Sequence, residues 1–284
     1  MRKTAFFFSA LLIGAMLITS CSKYSGYKEA DSGLYYKFIS ESGDTAKPRL
    51  NDILDVVMSY GTKDSTLMPA NGVIQIQLMK PMFKGDIYEG FAMMHKGDSA
   101  SFIISADSFF TKIARAPRPK FIDSSSVLYF NVKLKDFMSL EQLMKKRQEE
   151  NAKLEQEEMT KLDAYLKANN ITAQPTASGI YFIEVQKGKG PKAMTGQKVS
   201  VHYTGTLLDG KKFDSSYDRK EPISFALGTG AVIKGWDEAI SMMSKGGKAK
   251  VIIPSKMAYG ERAQGPIPAF STLVFDVELV DITK

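Results

Sequence analysis

The chain has 284 residues, 44% of them hydrophobic and 24% charged, and a formal net charge of +7 at pH 7. These fractions are those of a globular protein and exclude a disordered chain, and the length is enough for two domains of ordinary size. The single cysteine excludes an intramolecular disulfide. The positive charge is scattered, with its densest part at 186–198 in Gly-rich turns. We therefore expect no nucleic-acid partner.

The first twenty residues predict an exported lipoprotein. Arg2 and Lys3 precede an almost wholly apolar stretch, which is too short for a comfortable membrane span and is typical of a signal peptide. The sequence Ile-Thr-Ser-Cys at 18–21 then fits a bacterial lipobox. We expect a signal peptide at 1–20 and a lipid anchor on Cys21, with Ser22 favouring the outer membrane facing the periplasm. The inner membrane, the cell surface, and an ordinary signal peptide with an incidental cysteine remain alternatives.

An internal repeat organises the rest of the chain, because three pairs of segments recur at an offset of about 145–150 residues. The pairs are 32–38 with 178–184, 91–105 with 240–254, and 126–134 with 271–279. Alternating apolar residues, such as Leu273, Phe275 and Val277, have the period of half-buried strands. Trp236, Ile240 and Met243 have the spacing of a short amphipathic helix. Each copy is therefore predicted to be an antiparallel sheet wrapped around a short helix, which makes an α+β fold.

A long helix is predicted between the two copies. Ser139 and Gln142 form a capping box, and no Gly or Pro follows until after Ala168. A continuous helix over this stretch would be about 43 Å long at 1.5 Å per residue. Its apolar positions are sparse, so we interpret it as a solvated spacer docked at its C-terminal half, with a homodimerising helix as the alternative. The expected domains are 24–138, a helical linker at 139–170, and 171–284.

The second copy carries six aromatic and apolar motifs in a distinctive order. They are VHYTG at 201–205, KKFDSS at 211–216, PISFALG at 222–228, VIKGW at 232–236, AYG at 258–260 and TLVFDVEL at 272–279. Together they resemble the FKBP-type peptidyl-prolyl cis-trans isomerases. The resemblance implies an isomerase that needs no cofactor or metal, acts on proline-containing unfolded or partly folded proteins, and binds macrolide inhibitors.

By this resemblance, four residues are catalytic and six bind the substrate. The catalytic set is Tyr203, Asp214, Trp236 and Tyr259. The substrate-binding set is Phe213, Phe225, Val232, Ile233, Ile267 and Phe275. Trp236 is expected to form the floor under the proline ring, the Ile233 N–H to bind the substrate carbonyl, and the Tyr259 hydroxyl to donate a second hydrogen bond. Lys220 stands where relatives often have Gly, and Pro266 beside Ile267 leaves the residue preference before proline open.

The first copy keeps the core pattern but departs from these motifs. Ile87 falls at the position of Trp236, Phe110 falls at that of Tyr259, and the stretch 61–64 lacks a counterpart of Phe213. The register of Met58 to Tyr60 against Tyr203 is ambiguous by one or two residues. We therefore predict a degenerate FKBP-like domain without isomerase activity.

Other chemistries find no support in the sequence. Two histidines and one cysteine make no metal-ligand cluster, and neither a hydrolase triad nor a phosphate-binding loop can be assembled. The sequence predicts a peptidyl-prolyl isomerase that assists the folding of exported proteins in the bacterial cell envelope, with its active site in the C-terminal domain. The alternative is a non-catalytic envelope chaperone or scaffold that binds partner peptides through both domains.

Overall fold

The computed structural model describes residues 23–283 and divides into two compact units, one up to Met144 and one from Lys145. The expected signal peptide and Cys21 lie outside the described residues. Within 23–283, no helix has the length and apolar character needed to cross a membrane. The α+β class is confirmed, because each unit contains an antiparallel sheet and a short helix, and a long helix lies between the two sheets in the sequence.

The first unit is built on an antiparallel sheet whose strands follow the order β1-β2-β6-β7-β3-β4, with β5 also paired to β3. The strands are β1 Lys28–Glu29, β2 Tyr35–Ser40, β3 Ile53–Gly61, β4 Thr66–Met68, β5 Ile74–Gln77, β6 Ser99–Ser105 and β7 Val127–Met138. Helix α1, Ile87–Met93, begins at Asp86, whose carboxylate accepts a hydrogen bond from the Tyr88 N–H at 3.1 Å. Helix α2, Ala106–Ser108, continues as a π-turn over Phe109–Ala114.

The second unit repeats this arrangement. Its sheet has the order β10-β9-β13-β12-β8, with β11 also paired to β9, so each strand has a counterpart in the first sheet. The strands are β8 Tyr181–Gln186, β9 Lys198–Leu207, β10 Lys212–Ser215, β11 Ile223–Ala226, β12 Lys248–Ile253 and β13 Leu273–Thr283. Helix α4, Lys234–Ser241, and a 3₁₀ turn, Ser255–Met257, complete it.

The helix of each unit packs its apolar stripe on the sheet. Ile87, Phe91 and Met94 are buried in the first core, and Trp236, Ile240 and Met243 in the second, as their spacing predicts. Gly235 allows α4 to approach β12, since a Cβ atom there would collide with the Ile253 side chain. This close approach brings Trp236 to the sheet, where the candidate site forms.

The long helix is α3, Leu140–Ala168. The expected capping box is confirmed: the Ser139 N–H donates to the Gln142 side chain at 2.9 Å and the Gln142 N–H donates to the Ser139 hydroxyl at 3.1 Å. In the second unit, Leu162 packs against Ile252 and Val274 on the outer face of the sheet. The predicted docking of the C-terminal half is therefore confirmed.

Candidate active site

A cavity of about 270 Å³ opens between helix α4 and strands β9, β10 and β13 of the second unit. Four aromatic rings and a tyrosine at its mouth make most of its wall, and one carboxylate lies at the edge. The lining residues are Tyr203, Phe213, Asp214, Ile223, Ala231, Val232, Ile233, Trp236, Tyr259 and Phe275. Such a mostly apolar concavity with a few convergent polar groups is typical of a small-molecule or peptide side-chain site.

Trp236 forms the bottom of this cavity. It lies in the first turn of α4, is only 5% exposed, and meets Tyr203 and Phe275 edge-on with ring centroids 4.9 and 5.3 Å apart. Phe225 contacts the indole from another side at 5.9 Å. The indole is therefore held on several sides, and its orientation is set before any ligand binds.

Gly205 on β9 leaves room for two aromatic rings of the cavity wall. A Cβ atom at this position would lie 2.6 Å from the Phe213 ring and 2.9 Å from the Phe275 ring. Phe213 instead packs edge-on against Phe275, with centroids 5.6 Å apart. The absence of a side chain at residue 205 thus lets two aromatic walls meet.

A polar cluster borders the aromatic wall. The Tyr203 hydroxyl and the Arg219 guanidinium both donate to the Asp214 carboxylate, and Arg219 also donates to the Tyr203 hydroxyl at 2.8 Å. The Ser215 N–H donates to Asp214 at 2.8 Å. The carboxylate is therefore fixed in place beside the cavity by donors from three residues.

This network changes the protonation of its members. Burial raises the pKa of Asp214, but the hydrogen bonds from Tyr203 and Arg219 and the positive charge of Arg219 outweigh it, so the pKa is lowered overall. Burial, and then the hydrogen bond to Asp214, raise the pKa of the Tyr203 phenol. At neutral pH the site therefore holds an ionised Asp214 beside a protonated Tyr203.

Two hydrogen-bond donors at the cavity are free to meet a ligand. Within residues 23–283, the N–H of Ile233 has no acceptor, and the hydroxyl of Tyr259, whose side chain is 39% exposed, has no partner. Burial, and then the negative charge of Asp214, raise the pKa of Tyr259, which keeps its hydroxyl protonated. Asp237 orders the segment before Ile233 by accepting from the Gly228 and Gly230 N–H groups at 2.8 and 3.1 Å.

Most of the residues implied by the sequence resemblance meet at this cavity. All four expected catalytic residues line it, together with Phe213, Val232, Ile233 and Phe275. Phe225 and Ile267 are not among the lining residues: both are buried in the core, and the Phe225 ring lies 5.9 Å from that of Trp236. Ile223, Ala231 and Arg219 were not identified from the sequence. The only signal for Arg219 is its charge, five residues after Asp214, and exposed loops commonly carry charged residues.

The loop that carries Arg219 has a left-handed residue next to it. Lys220 has a φ of 57°, a conformation that favours glycine because it removes the clash of Cβ with the backbone. This agrees with the expectation that glycine is common at this position. The Glu221 N–H donates to the Ser216 carbonyl at 3.2 Å, which closes the loop beneath Arg219.

In the first unit, the sheet pairing resolves the ambiguous register. Phe130 pairs with Tyr60 where Phe275 pairs with Gly205, and Val132 pairs with Met58 where Val277 pairs with Tyr203. Met58 is therefore the counterpart of Tyr203, and Tyr60 that of Gly205. Met68 is likewise the counterpart of Asp214, because Met68 pairs with Tyr60 and Asp214 pairs with Gly205.

These exchanges fill the corresponding space in the first unit. The Tyr60 ring stacks on Phe130 with centroids 4.8 Å apart and meets Phe109 at 5.0 Å. Ile87 and Phe110, at the positions of Trp236 and Tyr259, are both buried in the core. A carboxylate, a hydroxyl and an indole are thus all replaced by apolar groups.

Comparison with known proteins agrees with the site in the second unit. Residues 190–280 match the FKBP-type peptidyl-prolyl cis-trans isomerase family. Over 100 residues the chain is 52% identical to the FK506-binding protein of Neisseria meningitidis serogroup A, which covers 35% of this chain and 92% of that protein. The chain belongs to the FKBP-type peptidyl-prolyl cis-trans isomerase family. It is therefore an enzyme of the peptidyl-prolyl isomerase class.

Other FKBP-type relatives are found in eukaryotes and bacteria. The chain is 60% identical over 93 residues to the peptidyl-prolyl cis-trans isomerase FPR2 of Saccharomyces cerevisiae, covering 32% of this chain and 69% of that protein. It is 48% identical over 130 residues to the isomerase FkpA of Aeromonas hydrophila, covering 45% and 48% respectively. The crystal structure of FkpA from Escherichia coli aligns with 37% identity and a TM-score of 0.42, covering 51% of this chain and 72% of that one.

Proposed function

We propose that the second unit isomerises X-Pro peptide bonds in its aromatic cavity, with the proline ring on Trp236. The observation that carries this proposal is the cavity itself: an indole floor and aromatic walls beside a fixed carboxylate and two free donors. No nucleophile is required, because the reaction is a rotation and breaks no covalent bond.

The physical barrier explains why such a cavity suffices. Rotation about a peptide bond costs about 18–20 kcal/mol, because resonance must be lost. The twisted amide is less polar than the planar one, since its nitrogen is no longer conjugated to the carbonyl. A water-poor aromatic cavity therefore favours the twisted form over the planar one, which is the differential binding that catalysis requires.

The polar residues then have separate roles. The Ile233 N–H binds the carbonyl on one side of the proline, and the Tyr259 hydroxyl donates to the substrate at the cavity mouth. Asp214, held by Tyr203 and Arg219, is the carboxylate nearest the rotating amide. Phe225 packs against the indole, and Ile267 anchors the segment between β12 and β13 in the core.

The first unit is proposed to be an FKBP-like domain without activity. Its sheet repeats the strand order of the second unit with β1 added, but Tyr60 carries a ring where Gly205 admits Phe213, and Met68 and Ile87 replace Asp214 and Trp236. We propose that this unit holds client proteins while the second unit acts on their proline bonds.

The proposed cellular location rests on the expected signal peptide. We propose that the chain is exported, cleaved before Cys21 and lipid-anchored there, at the outer membrane facing the periplasm. Its substrates are then exported proteins that have not finished folding. The lipobox at 18–21 and the apolar stretch before it support this location.

A proline-limited refolding assay with the full chain tests the activity. Trp236→Leu and Asp214→Asn should each lose most of the acceleration, because one removes the floor and the other the fixed charge. Tyr60→Phe, in the first unit, keeps the ring and should leave the rate unchanged. Equal rates for the wild type and both cavity variants would refute the proposal.

Membrane fractionation tests the anchor. Cys21→Ser removes the only thiol in the chain, so the protein should move from the membrane fraction to the soluble fraction. Ser22→Ala, which keeps the cysteine, is the matched control. If the Cys21→Ser protein stays with the membrane, lipidation at this residue is wrong.

A further inference from the structure

One buried carboxyl group in the second unit has no part in the proposed reaction. Glu158 lies on helix α3 and is only 6% exposed. One of its oxygens accepts from the Ser255 N–H at 2.7 Å and the Thr272 hydroxyl at 2.6 Å, and the other accepts from the Ser255 hydroxyl at 2.5 Å. No lysine or arginine within residues 23–283 lies within salt-bridge distance of it.

Burying the Glu158 carboxyl group costs free energy. Burial of a charged group is unfavourable unless hydrogen bonds compensate it, and here three donors converge on one carboxyl group. Apolar residues such as Leu162 already dock the helix on the sheet. The position of the three donors indicates what Glu158 adds.

Ser255 and Thr272 are the two ends of the loop that carries Tyr259. They follow β12 and precede β13, where Ile253 pairs with Leu273. The Ser255 carbonyl accepts from the N–H groups of Ala258 and Gly260, both at 2.8 Å, and so holds the residues on either side of Tyr259.

The loop closes on itself through its other end. The Phe270 N–H donates to the Gly260 carbonyl at 2.8 Å, two residues before Thr272. Hydrogen bonds thus link Glu158 to Ser255, Ser255 to Gly260, Gly260 to the Phe270 end, and Thr272 back to Glu158. A second contact from α3 reaches the same loop, since the Asn151 amide donates to Glu261 at 2.8 Å.

We propose that Glu158 is a positioning residue for catalysis, which holds both ends of the 255–272 loop so that the Tyr259 hydroxyl faces the cavity. The helix between the two repeats is in this way a working part of the isomerase. The proposal rests on the role of Tyr259 in the proposed function. The Tyr259 side chain is 39% exposed and its hydroxyl has no partner among residues 23–283, so the backbone around it has to fix its place.

The substitution Glu158→Gln is the conservative variant. The glutamine carbonyl can accept from the Ser255 N–H and the Thr272 hydroxyl, and its amide can donate to the Ser255 hydroxyl, so all three hydrogen bonds can be retained. Glu158→Ala removes them all. Thr272→Val removes one donor at nearly constant volume and provides a milder variant if Glu158→Ala does not fold.

The experiment measures kcat/KM on a proline peptide with the full chain, and crosses each variant with Tyr259→Phe. We expect Glu158→Ala to lower kcat/KM about tenfold and Thr272→Val about threefold, while Glu158→Gln stays within about twofold of the wild type. In the Tyr259→Phe background, Glu158→Ala should bring no further loss, because Glu158 acts through that hydroxyl.

Leu162→Ala is the control for a purely structural effect. It weakens helix docking but keeps Glu158 and its three donors, so it should lower the unfolding temperature and leave kcat/KM unchanged well below that temperature. Full additivity of Glu158→Ala and Tyr259→Phe, no effect of Glu158→Ala, or no effect of Tyr259→Phe would each overturn the proposal. An inactive wild type, or an unchanged rate with Trp236→Leu, would instead refute the proposed function.

Discussion

Gly205 and Tyr60 occupy corresponding places in the two sheets, and their difference determines whether a cavity exists. Gly205 leaves room in which Phe213 and Phe275 meet, whereas the Tyr60 ring lies directly on Phe130. Interiors are close-packed, so the two rings can meet over residue 205 only because that residue has no side chain. The cavity therefore depends on a missing side chain as much as on the aromatic residues present.

Gly205→Ala should close the cavity. The added methyl group would lie 2.6 Å from the Phe213 ring, so the aromatic walls must shift, and such overpacking costs about 1–3 kcal/mol. We expect kcat/KM to fall at least about tenfold, with a lower unfolding temperature. Thr206→Ala, the next residue on β9, is the control and should retain activity. Unchanged kinetics for Gly205→Ala would contradict this account of the cavity.

Asp214 makes the stability of the second unit dependent on pH. Its pKa is lowered from 3.8 in the folded protein, so the ionised carboxylate stabilises the fold at neutral pH. That stabilisation is fully present above about 3.8 and is lost as the pH falls through the lowered value. The wild type should therefore unfold at higher urea than Asp214→Asn at pH 7, and the difference should shrink in strong acid.

The fluorescence of Trp236, the only tryptophan in the chain, measures this transition in the second unit. Asp209→Asn, at an exposed turn, is the control for removing one negative charge. A difference between wild type and Asp214→Asn that stays constant down to pH 2 would show that the network around Asp214 does not favour its ionised form.

The loop that bears Arg219 contains a backbone conformation that its sequence does not favour. A non-glycine residue in the left-handed region costs about 1 kcal/mol, and Lys220 has a φ of 57°. Lys220→Gly should raise the free energy of unfolding of the second unit by no more than about 0.5 kcal/mol, because the entropy that glycine adds to the unfolded chain offsets part of the relieved strain. Glu221→Gly, the neighbouring control, should lower it by about 0.5–1 kcal/mol. Urea unfolding followed by Trp236 fluorescence measures both, and destabilisation by Lys220→Gly would be the contrary result.

Helix α3 contributes to the stability of the second unit through one buried leucine. Leu162 is 1% exposed and packs on Ile252 and Val274, whereas Leu154 is 40% exposed. Leu162→Ala should lower the free energy of unfolding by about 2–5 kcal/mol, and Leu154→Ala by no more than about 0.5 kcal/mol. Similar effects of the two substitutions on the urea midpoint would mean that the helix is not docked through Leu162.

The elements themselves are largely predictable from the sequence, because their signals are local. Alternation places Phe275 and Val277 on one face of a strand, and the spacing of Trp236, Ile240 and Met243 defines a helix. The internal sequence repeat then extends the prediction from the second sheet to the first. The register of Met58 and Tyr60 is not local: both lie on the same face, and only the pairing with β7 distinguishes them.

The polar support of the site is much harder to predict. Arg219 lies in an exposed loop, where a cation usually faces solvent. It belongs to the site only because the fold brings two acceptors to it, the Asp214 carboxylate and the Tyr203 hydroxyl. Glu158 lies in a helix with many glutamates, and its burial depends on a sheet more than 90 residues further along the chain. Contacts of this kind leave no periodic pattern in the sequence.

At the scale of the whole molecule, the residues that line the cavity on Trp236 correspond to a filled core in the first unit, which predicts one ligand per chain. The relatives of this chain include FK506-binding proteins, so FK506 is a suitable probe of the cavity on Trp236. Calorimetry on the full chain should then give one site, and Trp236→Leu should abolish binding. Tyr60→Phe should leave the stoichiometry at one. A second site of comparable affinity would show that the corresponding space in the first unit is not filled.

Tyr60 and Gly205 also imply different mutational tolerance in the two halves of the chain. In the first unit, a substitution at the site-equivalent positions has only to keep the core filled, so bulky apolar residues should be widely accepted. In the second unit the same exchange should destroy catalysis even in the molecules that still fold, because the empty volume is itself under constraint. A mutational scan that scores abundance and activity separately should find the two scores diverging around residue 205 and agreeing around residue 60.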